Sequence, residues 1–119
     1  PGTVDLYNPK VVRGAMGAHL RLPVLSHDWP AINKRASERT VWLADAAAET
    51  AYDAIDWTRP SALIVGGEAS GAGQEAIDLT TGRLSIPMAG GADSLNAAMA
   101  ATVILFEAAR QRRISTLKE

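Results

Sequence analysis

The chain has 119 residues, 47% of them hydrophobic and 21% charged, with a net charge of −1 and no cysteine. That length suits one domain, or part of one, with a real core and a modest stability margin. Zero cysteine excludes disulfides and thiolate metal sites and fits a reducing cytoplasm, and no stretch approaches the apolar length needed to cross a bilayer.

Charge is spread unevenly. Residues 1–40 net +3, residues 41–82 net −6 and residues 83–119 net +2. The overall balance carries no nucleic-acid signature, although phosphates would favour the first and last thirds. Solvated helix faces of mixed charge explain the same pattern equally well.

In chain order, Asn8-Pro9 predicts a helix start, with Asn as cap and Pro in the first turn. The helix should run from Lys10 to Met16 and end at Gly17. Arg13 sits within it beside small residues, where it could reach a phosphate or simply face water. His19 to Val24 alternates polar and apolar, which predicts a strand with one wetter face. His19 and His27 are the only histidines; they lack a carboxylate cluster at ligand spacing, so no metal is assigned. Ser26 to Pro30 turns into a helix over Trp29 to Ser37, with Trp29, Ile32 and Ala36 on one face. Arg39 to Ala44 reads as the next strand, ending near Asp45. Ala46 to Trp57 is a short connection in which Tyr52 and Trp57 pack into the core.

Pro60 precedes a continuous apolar run, Ala62 to Val65, of the kind that buried parallel strands show. Gly71 to Leu79 predicts a helix with Ala76 and Leu79 inward. Thr80-Thr81-Gly82 then turns the chain into a strand, Arg83 to Ile86. The last helix, Ala97 to Arg113, continues an apolar stripe that begins at Leu95 and runs through Met99, Thr102, Val103, Phe106 and Ala109 at three- and four-residue spacing. Its exit, Arg110 to Arg113, sets cations at the negative end of the helix dipole or against RNA. The alternation of elements gives an α/β class with a mostly parallel sheet flanked by helices, in one domain over residues 1–119.

Two strand-to-turn units stand out. In Ser85-Ile86-Pro87-Met88-Ala89-Gly90-Gly91-Ala92-Asp93-Ser94-Leu95-Asn96, an apolar strand stops at a proline, which has no N–H to donate. A glycine turn follows, and Asp93 or Ser94 can cap the next helix, leaving free N–H groups for a ligand's polar end. The second unit is Ala62-Leu63-Ile64-Val65-Gly66-Gly67-Glu68-Ala69-Ser70-Gly71. Two such units opening towards helices are what an open α/β sheet offers a ligand at its strand ends. There is no Gly-x-Gly-x-x-Gly, so neither a dinucleotide site nor a class I methyltransferase pocket is indicated.

These residues resemble the SpoU-type RNA 2′-O-ribose methyltransferases of the SPOUT superfamily. Ile86-Pro87-Met88, Ser94-Leu95-Asn96 and an alanine-rich helix reaching Leu105-Phe106-Glu107 are similar to that family's motif 3. Val65 to Gly71 resembles its motif 2, with Gly67 where Asn is commoner. Val4 to Arg13 and Met16-Gly17-Ala18 resemble the segment between motifs 1 and 2, with Ala15 where Ser is common. Motif 1, an Asn and a catalytic Arg, is expected upstream of Pro1, so the chain reads as the C-terminal part of a longer protein and the domain as N-terminally incomplete.

The resemblance implies a C-terminal trefoil knot, S-adenosylmethionine as methyl donor and an RNA ribose hydroxyl as acceptor, ribosomal RNA being favoured over transfer RNA. It assigns Ala44, Gly66, Glu68, Ile86, Met88, Ser94, Leu95 and Asn96 to the cofactor, Glu68, Ser94 and Asn96 to catalysis and Arg13 to substrate RNA. It also implies a homodimer formed through the knot and the C-terminal helix, with Met99 and Phe106 as candidate contacts. Two other readings stay open: a catalytically inactive dimeric RNA-binding or scaffold module, and an unrelated nucleotide-binding α/β protein.

Overall fold

The structure, a computed structural model, describes residues 1–66, 72–90 and 95–118. The chain divides into two compact units, Pro1–Arg35 and Ala36–Glu119.

The first unit is held by local polar contacts. Asp5 Oδ1 accepts from the Tyr7 N–H at 3.0 Å, and Asn8 Oδ1 accepts from the Lys10 N–H at 2.9 Å. Asn8 thereby caps helix α1 (Pro9–Gly14), with Pro9 in the first turn as expected. The helix stops short of Met16 because Met16 (φ 51°) and Gly17 (φ 87°) both turn left-handed.

The strand expected over His19 to Val24 is not formed. Ala18–Leu20 is instead a 3-10 turn, in which Leu20 N–H donates to Gly17 O and the Arg21 and Leu22 N–H groups both donate to Ala18 O. Those donors are consumed locally and cannot pair with a neighbouring strand. His19 Nε2 bonds Leu6 O at 3.0 Å, and its ring lies 6.1 Å from that of Tyr7. Helix α2 (Trp29–Ala36) opens as expected, where Asp28 Oδ1 accepts from the Ala31 N–H at 3.0 Å.

The second unit is built on three parallel strands, β1 (Thr40–Ala44), β2 (Ser61–Ile64) and β3 (Gly82–Leu84), in the order β2-β1-β3. The parallel α/β class read from the sequence therefore holds. β1 runs through the centre, and Val41 and Leu43 on its covered face are 2% and 3% exposed. β2 is half-buried throughout, less covered than its unbroken apolar run suggested.

Thr81 anchors the entry to β3, accepting at Oγ1 from the Val41 N–H at 3.0 Å and returning its own N–H to Val41 O at 2.8 Å. One residue on, Gly82 faces Trp42, and a Cβ there would lie 2.6 Å from the indole ring. A glycine is what lets the ring lie over the backbone at this point. Helix α3 (Gln74–Leu79) buries Ala76, as expected, and leaves Leu79 half-covered.

Ile55, Trp57, Leu84 and Ile104 form the core cluster, with Leu84 and Ile104 essentially inaccessible. Trp57 is a core residue, as its sequence context suggested, and its Nε1–H donates to Tyr52 O at 2.8 Å. Helix α4 (Ala97–Leu117) is capped by Asn96, whose Oδ1 accepts from the Met99 N–H at 2.9 Å.

The inward face of α4 is not the expected stripe. Met99 is 58% and Phe106 74% exposed, whereas Ile104 is buried and Ala108 packs against the core. The reason lies one turn further on. Gln111 Oε1 accepts from the Trp57 N–H at 2.9 Å while its Nε2 donates to Ile55 O at 2.9 Å and Glu107 Oε1 at 3.0 Å. A carboxamide thus pairs with the 55–57 backbone as a strand would, and it draws the Ala108–Gln111 side of the helix inward.

The basic exit of α4 serves the same contact. Arg112 Nε donates to Trp57 O at 2.8 Å, and Arg110 pairs with Glu107 through two bonds of 2.8 Å. Hydrogen bonds from Arg110 first, then Gln111, hold the Glu107 carboxyl down at about 2.

Candidate functional site

Because the three strands are parallel, Ala44, Ile64 and Leu84 finish at the same edge of the sheet. The chain leaves that edge as Asp45-Ala46, as Val65-Gly66 and as Ser85 to Met88. These three exits, with Leu95 and the first turns of α4, bound a cavity of about 670 Å³. It lies outside the carboxyl ends of the strands, where open α/β sheets bind ligands, and its size falls within the range of small-molecule sites.

Six of the eight residues assigned to the cofactor line it: Ala44, Gly66, Ile86, Met88, Leu95 and Asn96. They come from four separate chain segments, which the sheet brings together. Glu68 and Ser94 lie outside the described residues. Arg13 is an exposed residue of α1, in the first unit.

Sequence reasoning gave no role to Arg83 or Ser85, which also line the cavity, and named Asp45 only by its position after a strand. The usable signal was location, since each is at or just beyond a strand's C-terminal end. Asp45 Oδ1 accepts from the Ala47 N–H at 2.9 Å, and Oδ2 accepts from Arg83 Nη1 at 2.9 Å. The Ala47 N–H first, and Arg83 second, hold its carboxyl below the usual aspartate range. The rim therefore carries a matched ion pair with both carboxylate oxygens engaged.

Leu43, Ile86, Leu95 and Ile104 give the cavity apolar walls. Gly66, Ile86 and Met88 lie past the strand ladder, so their backbone groups are not committed to the sheet. Apolar walls with backbone donors and acceptors at the edge suit a flat heteroaromatic ring and its attached sugar. Among the described residues there is no cluster of side chains fit to hold a metal ion.

The model of the SpoU rRNA Methylase family matches residues 1–106. The chain belongs to that family. It is 32% identical over 165 aligned residues to a mitochondrial rRNA methyltransferase 3 of Mus musculus, covering 95% of this chain and 39% of the relative. It is 38% identical over 116 residues to a 23S rRNA (uridine(2479)-2′-O)-methyltransferase of Streptomyces viridochromogenes, covering 91% of this chain and 40% of that protein. The crystal structure of the SpoU methyltransferase AviRb from Streptomyces viridochromogenes, in complex with AdoMet, superposes with a TM-score of 0.79 at 38% identity, over 95% of this chain and 47% of that one.

The SpoU chain thus spans about two fifths of the length of the curated relatives it matches. Family membership sets aside the reading as an unrelated nucleotide-binding protein, and the shared parallel sheet agrees with the SpoU fold. The cavity also passes a test of fit for the adenosyl group that the AviRb structure holds. Its volume, apolar walls and uncommitted backbone suit that group, and among the described residues the charged side chains that line it, Asp45 and Arg83, are paired with each other.

Proposed function

We propose that this chain is the cofactor-binding part of an enzyme that methylates a ribose 2′-hydroxyl of RNA with S-adenosylmethionine. The observation that carries the reading is the convergence of motif 2 and motif 3 residues on one cavity at the strand ends of a SpoU-family sheet. The relatives named for ribosomal RNA favour rRNA as the substrate. The two units are read as parts of one SPOUT domain, because the family match runs through both.

In this reading Ile86 and Leu95 flank the adenine, and backbone groups of Gly66, Ile86 and Met88 hold its edge and the ribose. Ala44 closes the pocket beside the adenine. The bound cofactor supplies an activated methyl on a sulfonium. The chain's own task is to align a weak nucleophile with that methyl and to manage one proton. Asn96 fixes the start of α4, and with Ser94 it orients groups at the reacting end. Glu68, outside the described residues, keeps the role that its place in motif 2 implies. No residue of this chain is given the role of the family's motif 1 arginine. Arg13 contacts an RNA phosphate.

The finer assignments that follow the family are a trefoil knot around motif 3 and a homodimer in which exposed Met99 and Phe106 of α4 are covered; a reducing, cytoplasmic setting rests on the cysteine-free composition instead. Among the described residues no helix is long and apolar enough to cross a membrane.

Calorimetric titration of S-adenosylhomocysteine into the full-length protein tests the proposal. Micromolar affinity is expected, together with methyl transfer to an rRNA transcript. A folded full-length protein with no affinity would sink the enzyme reading and leave the inactive scaffold.

A further inference from the structure

Beyond β1 the chain makes a loop, Asp45 to Thr50, that belongs to no helix or strand and rejoins the sheet at Ala51. Ala46, Ala47, Glu49 and Thr50 are exposed, so apolar burial does not fix it. The attachments of its middle and far end converge on Ser85. The Ser85 N–H donates to Thr50 O at 2.9 Å, Ser85 O accepts from the Tyr52 N–H at 2.8 Å, and the Ser85 hydroxyl donates to Ala48 O at 2.8 Å. Asp45 is tied separately, through its N–H to Leu84 O at 2.8 Å and its carboxylate to Arg83. The two backbone bonds of Ser85 secure the far end of the loop, and Asp45 secures its start. The hydroxyl is the side-chain tether to its middle.

Ser85 lines the cavity, as do Asp45 and Ala46 at the start of the loop, whereas Ala48, which takes the hydroxyl's bond, lies behind that lining. We propose that Ser85 is a positioning residue of the cofactor cavity, whose hydroxyl steadies the 45–50 loop, and through it the Asp45–Ala46 part of the lining, and so sets how tightly the cavity holds its ligand. The proposal rests on the methyltransferase reading and deepens it. Ser85 acts through the loop, because its proton is engaged by Ala48 O and is not offered to a reacting group. An untethered loop must be ordered when ligand binds, and that cost is subtracted from affinity.

The test compares Ser85→Ala and Ser85→Thr with the parent full-length protein, by S-adenosylhomocysteine titration and by amide hydrogen exchange. Ser85→Ala should weaken binding roughly fivefold, the effect of one ordinary hydrogen bond. It should also speed exchange at the Ala47 and Ala48 amides, which now donate within the loop to Asp45, while Val41 to Leu43 keep their protection. Ser85→Thr retains a hydroxyl and should restore both. Unchanged affinity, unchanged loop exchange, or faster exchange spreading equally through β1 would each overturn the proposal, the last by showing a general support of the fold. A parent protein with no affinity for S-adenosylhomocysteine would overturn the methyltransferase reading itself, and the positioning role with it.

Discussion

The two units are stabilised by different means. Among the described residues none of Pro1–Arg35 is buried, and Tyr7, Met16 and Leu20 are 71%, 91% and 91% exposed. The contacts described in that unit are mostly between near neighbours, as with Asn8 on Lys10, Asp28 on Ala31 and the short turn at Ala18–Leu20, and His19 on Leu6 O reaches only 13 residues. In Ala36–Glu119 the decisive contacts join residues far apart in sequence, as when Gln111 meets Ile55 and Trp57. Short helices gain little from propensity alone, so the first unit should respond to loss of a cap and the second to loss of a core side chain.

The largest effect is expected from Leu84→Ala. Leu84 is 0% exposed at the end of β3, packed with Ile55, Trp57 and Ile104. Removing a buried leucine side chain costs about 2–5 kcal/mol, measurable as a shift of the urea midpoint. Because Leu84 also lines the cavity, ligand affinity should fall along with stability. A change below about 1 kcal/mol, far under the usual cost of such a truncation, would show that this core is looser than its burial implies.

What the sequence revealed follows the same division. Signals that act within a few residues were readable: the Asn8 cap, the start of α2 and the cores of the three strands. The largest local error, a strand over His19 to Val24, arose because polar–apolar alternation says nothing about whether a partner strand exists. Signals that depend on distant partners were not readable. The alternative face of α4 is selected by Gln111, and a glutamine within Arg110-Gln111-Arg112-Arg113 carries no mark of its engagement with a backbone more than 50 residues away. Arg112 was explained by the helix dipole or by RNA, and the structure uses it on Trp57 O. The cavity was half legible: apolar and glycine positions could be placed by motif, whereas the Asp45–Arg83 pair and the Ser85 tether appear only once β1 and β3 are adjacent.

Gln111→Leu sharpens the comparison from the polar side. It keeps a side chain of similar size while deleting the acceptor for the Trp57 N–H and the donor to Ile55 O. Leaving two half-buried backbone groups without these partners should cost about 1–3 kcal/mol. Exchange should quicken at the Trp57 amide before it does in β1. Retention of full protection there would mean that Arg112, through Trp57 O, suffices to hold the segment.

The smallest effect belongs to the first unit. Asn8→Ala removes the side-chain oxygen that accepts from the Lys10 N–H and leaves Pro9 in place. Loss of an Asn cap costs about 1 kcal/mol, and α1 has only 6 residues over which to absorb it. The variant should therefore fray the helix through its whole length, with faster exchange at the Val12 amide, which donates to Asn8 O. Asn8→Asp supplies the same acceptor and should keep the parent's protection. If Asn8→Ala left α1 as protected as before, the first unit would be held by something other than its local caps, and the contrast with the core-built second unit would fail.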